Sequence, residues 1–106
     1  MEIKIIKENK RSFLDLLLLA DEQESMIDKY LSRGEMFALY DGDLKSICVV
    51  TNEEKGIYEI KNLATYEKYQ GQGYGSRLIK FIFEYYKDNC KIMFVGTGDS
   101  IDDSLL

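Results

Sequence analysis

The sequence predicts an α/β (α+β) domain in which helices flank a mixed β-sheet, and three observations support this fold class. Apolar residues alternate as in a strand, then repeat at helical spacing, then alternate again, which gives the order β-α-α-β-β-β-α-β. The dipeptide Asp41-Gly42 separates two extended runs and is typical of a hairpin turn. Near the C-terminus, a strand, a glycine-rich loop with a helix, and a second strand form a βαβ unit, whose strands run parallel.

The chain has 106 residues, which suits a single domain over residues 1–106. We expect two parts within it. Residues 1–56 form the first strand, two helices and the hairpin, and residues 57–98 form the βαβ core.

In the first part, the segment Glu2–Lys7 (EIKIIK) predicts a strand. Two helices follow, over Arg11–Ala20 and Asp21–Gly34, because their apolar residues recur at helical spacing. In the second of these helices the predicted apolar stripe is Met26, Ile27, Tyr30 and Leu31.

The hairpin Glu35–Asn52 leads into a third strand of the meander, Ile57–Ala64. A long helix is predicted over Ser76–Asn89, followed by a short strand, Lys91–Val95, parallel to Ile57–Ala64. The predicted buried face of the helix consists of Leu78, Ile79, Ile82, Phe83 and Tyr86.

Composition excludes several function classes. A net charge of −5 and an isoelectric point near 4.7 argue against nucleic-acid binding, which needs clustered Lys and Arg. No apolar run approaches the roughly 20 residues of a membrane span, and the N-terminus lacks a signal peptide, so we expect a cytoplasmic protein.

The chain has no histidine, which removes histidine-based catalytic triads and the usual zinc sites, and no metal is predicted. Cys48 and Cys90 are expected to be reduced thiols.

The segment Gln70–Ser76 places three glycines, Gly71, Gly73 and Gly75, immediately before a helix. Backbone N–H groups at such a helix start can bind an anion, and the helix dipole favours negative charge there. The dinucleotide-binding fingerprint does not fit, because Ser76 stands where its third glycine belongs, and no Gly-Lys-Ser/Thr P-loop sequence occurs. The loop is therefore either a phosphate-binding cradle or a turn without a ligand.

The hexapeptide QGQGYG, Gln70 to Gly75, resembles the Q/R-x-x-G-x-G/A signature of the GNAT N-acetyltransferase superfamily. The preceding EIKNLATYEKY is similar to that family's fourth strand and the loop after it. This resemblance implies that acetyl-coenzyme A is the acetyl donor. Its pyrophosphate would bind Gln70, Gly71, Gln72, Gly73, Tyr74, Gly75 and Ser76, and its pantetheine arm would pair with Leu63, Ala64 and Thr65.

Acetyl transfer by direct attack of a primary amine in a ternary complex needs a group that takes the proton of the amine. Glu59 is the candidate, since the resemblance implies a glutamate eleven positions before Gln70 on this strand, and the thioester oxygen would meet a backbone N–H near Leu63. The alternative is a solvent-facing Glu59 paired with Lys61 or Lys45.

The acceptor is expected to be an amine on a small molecule or a protein. Between Asp15 and Glu35, six acidic residues stand against two basic ones. This acidic segment favours a cationic acceptor, although a solvated helix surface explains the same charges.

The resemblance ends near Gly98, where family members continue with a further helix and strands. Here VGTGDS is followed by IDDSLL, and no tyrosine occurs after Tyr86 that could protonate the coenzyme A thiolate. We therefore expect a C-terminally truncated version of the fold. Three explanations are open: a piece of a longer enzyme, a homodimer that supplies the missing surface, or a non-catalytic coenzyme A-binding domain. Besides an acetyltransferase and a non-catalytic coenzyme A-binding domain, a nucleotide-binding regulatory module is a third class of function.

Overall fold

The computed structural model describes residues 1–95, and within them the predicted order of elements is confirmed. One sheet contains five strands in the spatial order β1-β2-β3-β4-β5. The strands are β1 Glu2–Ile6, β2 Glu35–Asp41, β3 Asp43–Glu54, β4 Ile57–Thr65 and β5 Ile92–Val95. The α-helices are α1 Leu14–Ala20, α2 Glu24–Leu31 and α3 Tyr74–Tyr86, and short 3₁₀ turns cover Lys10–Phe13 and Glu67–Tyr69.

The sheet is mixed, as predicted. Strands β1 to β4 pair antiparallel in chain order, whereas β5 pairs parallel with β4. This parallel pairing runs from Ile57 opposite Ile92 to Ile60 opposite Val95. Within residues 1–95, the edge of β4 from Lys61 to Thr65 consequently has no strand beside it.

The sheet separates two apolar cores. Helices α1 and α2 cover one face, where Leu17 and Ile27 meet Val49, and α3 covers the other, where Leu78 and Ile82 pack with other buried side chains. Because both faces are covered, β2 and β3 contain continuous buried runs rather than the alternation of a half-exposed strand. Cys48 is buried in the core beneath α3, and both cysteines are free thiols.

Two predicted core positions were wrong. Phe83 is 52% exposed. The buried stripe of α3 follows Leu78, Ile82 and Tyr86, and Phe83 lies outside this stripe on the helix surface. Met26, at the first turns of α2, is likewise exposed.

Strand β5 buries only one of its faces. Met93 packs against the α3 core, whereas Ile92 and Phe94 are among the exposed large apolar side chains. No helix within residues 1–95 is both long and apolar enough to cross a membrane.

Candidate functional site

The glycine loop connects the end of β4 to α3, and its backbone conformation requires glycine at two positions. Gly71 has φ of 79° and Gly73 has φ of 87°, a left-handed region that other residues enter at a cost. A Cβ atom at either position would meet no other atom within 4 Å. The glycines are therefore not required by packing inside the protein, and the space beside their backbone is open.

The first turn of α3 presents backbone donors. Gly73 precedes the helix without a side-chain cap, and the first turn carries no acidic residue. The helical hydrogen bonds begin with the N–H of Arg77, which donates to Gly73 O at 3.0 Å, so the N–H groups of Tyr74 to Ser76 are left without partners inside the helix. These free donors and the helix dipole are the features that favour a negative charge at a helix N-terminus.

The side chain of Gln70 fastens the start of this loop to the strand before it. Gln70 Nε2 donates to the carbonyl oxygen of Thr65 at 3.1 Å, and Gln72 Nε2 donates to Lys68 O at 3.4 Å. In the structure the Gln70 amide thus closes the turn after β4, and the open side of the loop is lined by backbone.

The loop also rests on the β2–β3 hairpin. Lys45 is buried, contacts Asp43 through its ammonium, and lies 3.5 Å from the centre of the Tyr69 ring. Tyr69 Oη donates to Asp43 at 3.0 Å, and Tyr74 Oη donates to Asp41 at 2.8 Å. The Lys45 hydrogen bond lowers the pKa of Asp43, and the same contact raises the pKa of Lys45. These contacts with the β2–β3 hairpin fix the positions of the two tyrosines that flank the glycines.

The role of Lys45 beside Tyr69 and Tyr74 is not visible in the local sequence. Lys45 is the extra residue of a β-bulge, since Leu39 pairs with Ser46 and Tyr40 with Leu44. Bulges depend on how two strands pair, and the local alternation of one strand does not show them.

Strand β4 contains a second bulge. Val49 pairs with Asn62 and Val50 with Ile60, so Lys61 has no opposite residue on β3. The three residues expected to pair with a pantetheine arm, Leu63, Ala64 and Thr65, follow this bulge and form the open edge of β4 within residues 1–95.

Asn62 ties this part of β4 to both N-terminal helices. Its Nδ2 donates to Leu17 O at 2.9 Å and to Tyr30 Oη at 3.0 Å, and Tyr30 Oη in turn donates to Asp21 at 3.3 Å. Burial raises the pKa of Tyr30 from its ordinary value near 10 to about 12. The sequence carried one signal of this network, a polar Asn62 in the middle of an apolar strand.

Glu59 lies on β4 opposite Thr51, and its carboxylate forms an ion pair with Lys61. The distance from Glu59 Oε1 to Lys61 Nζ is 2.9 Å, and the side chains are 18% and 22% exposed, respectively. Its neighbours Tyr58 and Ile60 belong to the α3 core, so alternation directs Glu59 toward the face that carries α1 and α2. Of the two lysine partners considered from the sequence, Lys61 makes the contact, and Lys45 is engaged with Asp43.

The acidic segment around α1 and α2 is partly neutralised within the protein. Arg11 forms ion pairs with Glu24 and Asp28, and the Glu24 hydrogen bond raises the pKa of Arg11. Asp15 accepts a hydrogen bond from Tyr66 at 3.1 Å. Arg11, which lies outside the counted segment, therefore offsets part of the negative charge of that segment.

Within residues 1–95, Cys, Asp and Glu side chains form no group of three or more that could hold a metal ion. The GTGDS stretch and the terminal IDDSLL, which carried the expectation of truncation, lie outside the described residues.

Comparisons with known proteins agree on one family. A family model described as the acetyltransferase (GNAT) family matches residues 4–104. An N-acetyltransferase of Bacillus subtilis, YvbK, whose name calls it uncharacterized, is 33% identical over 102 residues, which are 94% of this chain and 66% of that protein.

Solved structures show the same likeness. A GNAT family acetyltransferase from Elizabethkingia anophelis with acetyl-CoA bound is 34% identical, with a TM-score of 0.75 over 82% of this chain and 57% of its own. A Bacillus subtilis acetyltransferase in complex with CoA is 34% identical, with a TM-score of 0.75 over 82% of this chain and 58% of its own. The chain thus spans about three fifths of the length of these relatives.

Proposed function

The chain belongs to the GNAT acetyltransferase family, and on that basis we propose that it transfers the acetyl group of acetyl-coenzyme A to a primary amine. Transfer would occur by direct attack of the amine in a ternary complex. Two structural relatives at 34% identity were solved with acetyl-CoA or CoA, which supports acetyl-coenzyme A as the donor here.

The observation that carries the proposal is the glycine loop at the start of α3. A diphosphate carries several acceptor oxygens and needs several N–H donors, and Gln70 to Ser76 supply open backbone at a helix N-terminus. The pantetheine arm, which contains amide groups, would hydrogen-bond the open edge of β4 at Leu63, Ala64 and Thr65. Both parts of the donor would be held mainly by backbone.

Glu59 is proposed as the group that accepts the proton of the amine. Its carboxylate lies on the α1/α2 side of β4, four residues before Leu63, whose N–H is proposed to stabilise the thioester oxygen. It already contacts one primary ammonium, that of Lys61, at 2.9 Å. A cationic amine on a small molecule or a protein would take the place of the Lys61 ammonium at this carboxylate.

A second candidate is a coenzyme A-binding domain without catalysis. The ion pair between Glu59 and Lys61 favours it, because the carboxylate proposed as the base is already occupied by a side chain of the same strand.

Thermal unfolding with and without acetyl-coenzyme A tests the binding site. Gly71 and Gly42 offer a matched pair, because both have φ of 79° and neither would place a Cβ within 4 Å of another atom. Alanine should therefore strain the two positions alike, but only Gly71 belongs to the loop.

We expect a ligand at 100 times its Kd to add about 2.7 kcal/mol of stability, which raises the Tm of a domain this size by about 10 °C or more. Gly42→Ala should keep this rise and Gly71→Ala should lose most of it. An absence of any rise with millimolar acetyl-coenzyme A would reject the site. A rise with ATP alone would instead indicate a nucleotide-binding module. Acetyl transfer to a panel of primary amines then separates the enzyme from the non-catalytic domain.

A further inference from the structure

Lys61 occupies an unusual place in the sheet. It is the extra residue of the β4 bulge, and within residues 1–95 it is also the first residue of β4 beyond the parallel pairing with β5. Leu63, where the thioester oxygen is proposed to bind, is two residues further along the strand, a distance of about 7 Å. A lysine side chain that turns from Glu59 toward Leu63 can cover most of that distance.

The side chain of Lys61 also has the contact that an acceptor needs. Its primary ammonium lies 2.9 Å from the carboxylate of Glu59, and the 22% exposure of the side chain leaves room for movement. An amine that is about to be acetylated must give its proton to a base at this kind of distance. Lys61 therefore presents an amine to the proposed base from within the chain.

We propose that Lys61 is an internal acceptor, and that the protein acetylates this lysine when acetyl-coenzyme A is bound. This inference rests on the proposed acetyltransferase function. It adds a modification site that the transfer to external amines does not require.

Other lysines lack this combination of position and contact. Lys45 is buried against Asp43 and Tyr69, and Lys10 donates to the carbonyl oxygens of Leu31 and Gly34. Lys68 is exposed on the turn after β4 and lies over the Tyr69 ring.

The chemistry balances without a further reagent. The Lys61 ammonium passes one proton to the Glu59 carboxylate, and the neutral amine attacks the acetyl carbonyl carbon. A C–N bond forms and the C–S bond breaks, so that the coenzyme A sulfur leaves with the bonding electrons. The second proton of the amine goes to that sulfur, and Glu59 then releases its proton to water. The product amide is neutral, which ends the ion pair with Glu59.

The test is to incubate the chain with acetyl-coenzyme A, measure its intact mass over time, and locate acetyl groups by peptide mass spectrometry. Lys61→Arg keeps the positive charge and removes the acceptor amine, and Lys68→Arg is the matched control. We expect one acetyl group per chain at Lys61 in the wild type and in Lys68→Arg, and none at that position in Lys61→Arg. Glu59→Gln should slow modification of Lys61 about 100-fold while leaving slow chemical acetylation of exposed lysines unchanged.

Three results would overturn the inference in different ways. Equal acetylation of many lysines, unaffected by Glu59→Gln, would mean chemical modification by the thioester. Acetylation of an external amine with Lys61 unmodified would remove Lys61 as an acceptor and leave the proposed function intact. A chain that binds acetyl-coenzyme A but modifies neither Lys61 nor any external amine would overturn both.

Discussion

The ammonium of Lys45 lies 3.5 Å from the centre of the Tyr69 ring, so a buried cation of β3 supports the residue that leads into the glycine loop. Asp43 accepts a hydrogen bond from each of them. The loop is consequently attached to a hairpin that is distant in sequence, and its shape is set before a ligand arrives. Such preorganisation increases affinity because less order has to be imposed on binding.

We expect Lys45→Met to weaken binding of acetyl-coenzyme A about ten-fold. A desolvated cation–π contact is worth about 2 kcal/mol, and we expect part of this free energy to hold the loop in its binding conformation. Isothermal titration calorimetry well below the Tm measures this. Lys68→Met is the control, because Lys68 is exposed and lies 5.0 Å from the same ring. Equal affinities for both variants and the wild type would show that the contact stabilises the fold alone.

Glu59→Gln should lower kcat for an amine acceptor about 100-fold or more and leave the Kd for acetyl-coenzyme A unchanged, because only proton transfer is lost. Glu53→Gln is the comparison, since Glu53 is also a strand carboxylate but pairs with Arg33, which lowers its pKa. Steady-state kinetics with saturating donor measure the effect. An unchanged kcat in Glu59→Gln would assign the proton transfer to another group or to water.

The buried hydroxyl of Tyr30 predicts a loss of stability in alkali. An unfolded tyrosine loses its proton near pH 10, whereas burial raises the pKa of Tyr30 to about 12 in the folded protein. The folded state thus binds more protons in this range, and stability falls as pH rises from 10 to 12. Between about pH 9 and about pH 11, urea unfolding should show a decrease of roughly 1 kcal/mol from this group.

Tyr30→Phe isolates that contribution, because the other tyrosines titrate alike in both proteins. The variant should be about 1 kcal/mol less stable at neutral pH, where it loses the hydrogen bonds to Asn62 and Asp21. Its stability should decrease less in alkali than that of the wild type. Parallel pH profiles would mean that Tyr30 titrates normally.

Gly34→Ala should destabilise the domain by about 1–3 kcal/mol, because a Cβ there would lie 2.7 Å from Val49 Cγ1 and 2.9 Å from Tyr30 O. Backbone atoms cannot move aside as a flexible side chain can. Ser32→Ala, at the exposed end of α2, should change stability by less than about 0.5 kcal/mol. Urea unfolding compares the two, and similar stabilities would show that the sheet relaxes around residue 34.

The order of elements could be predicted because hydrophobic period is a local property, and the glycine loop because its motif is contiguous. The contacts that shape the site are not local. Lys45 reaches Tyr69 across 24 positions, and Asn62 reaches Leu17 across 45. The bulges at Lys45 and Lys61 arise from the register between strands, which alternation within one strand does not encode.

The exposure of Phe83 shows a second, smaller limit of prediction from the local sequence. Helical spacing identifies a stripe of apolar residues but does not fix where its edge meets the sheet. Phe81, on the other side of Ile82, packs against the α3 core instead.

The bulge in β4 gives this strand an uncommon tolerance to the loss of one codon. Deleting a residue from a central strand normally turns every later side chain to the wrong face. Here Ile60 and Leu63 both belong to the α3 core with two residues between them, so removing Lys61 would restore simple alternation with each remaining side chain on its present face. A gene shortened by this codon would encode the same two cores around a straighter β4.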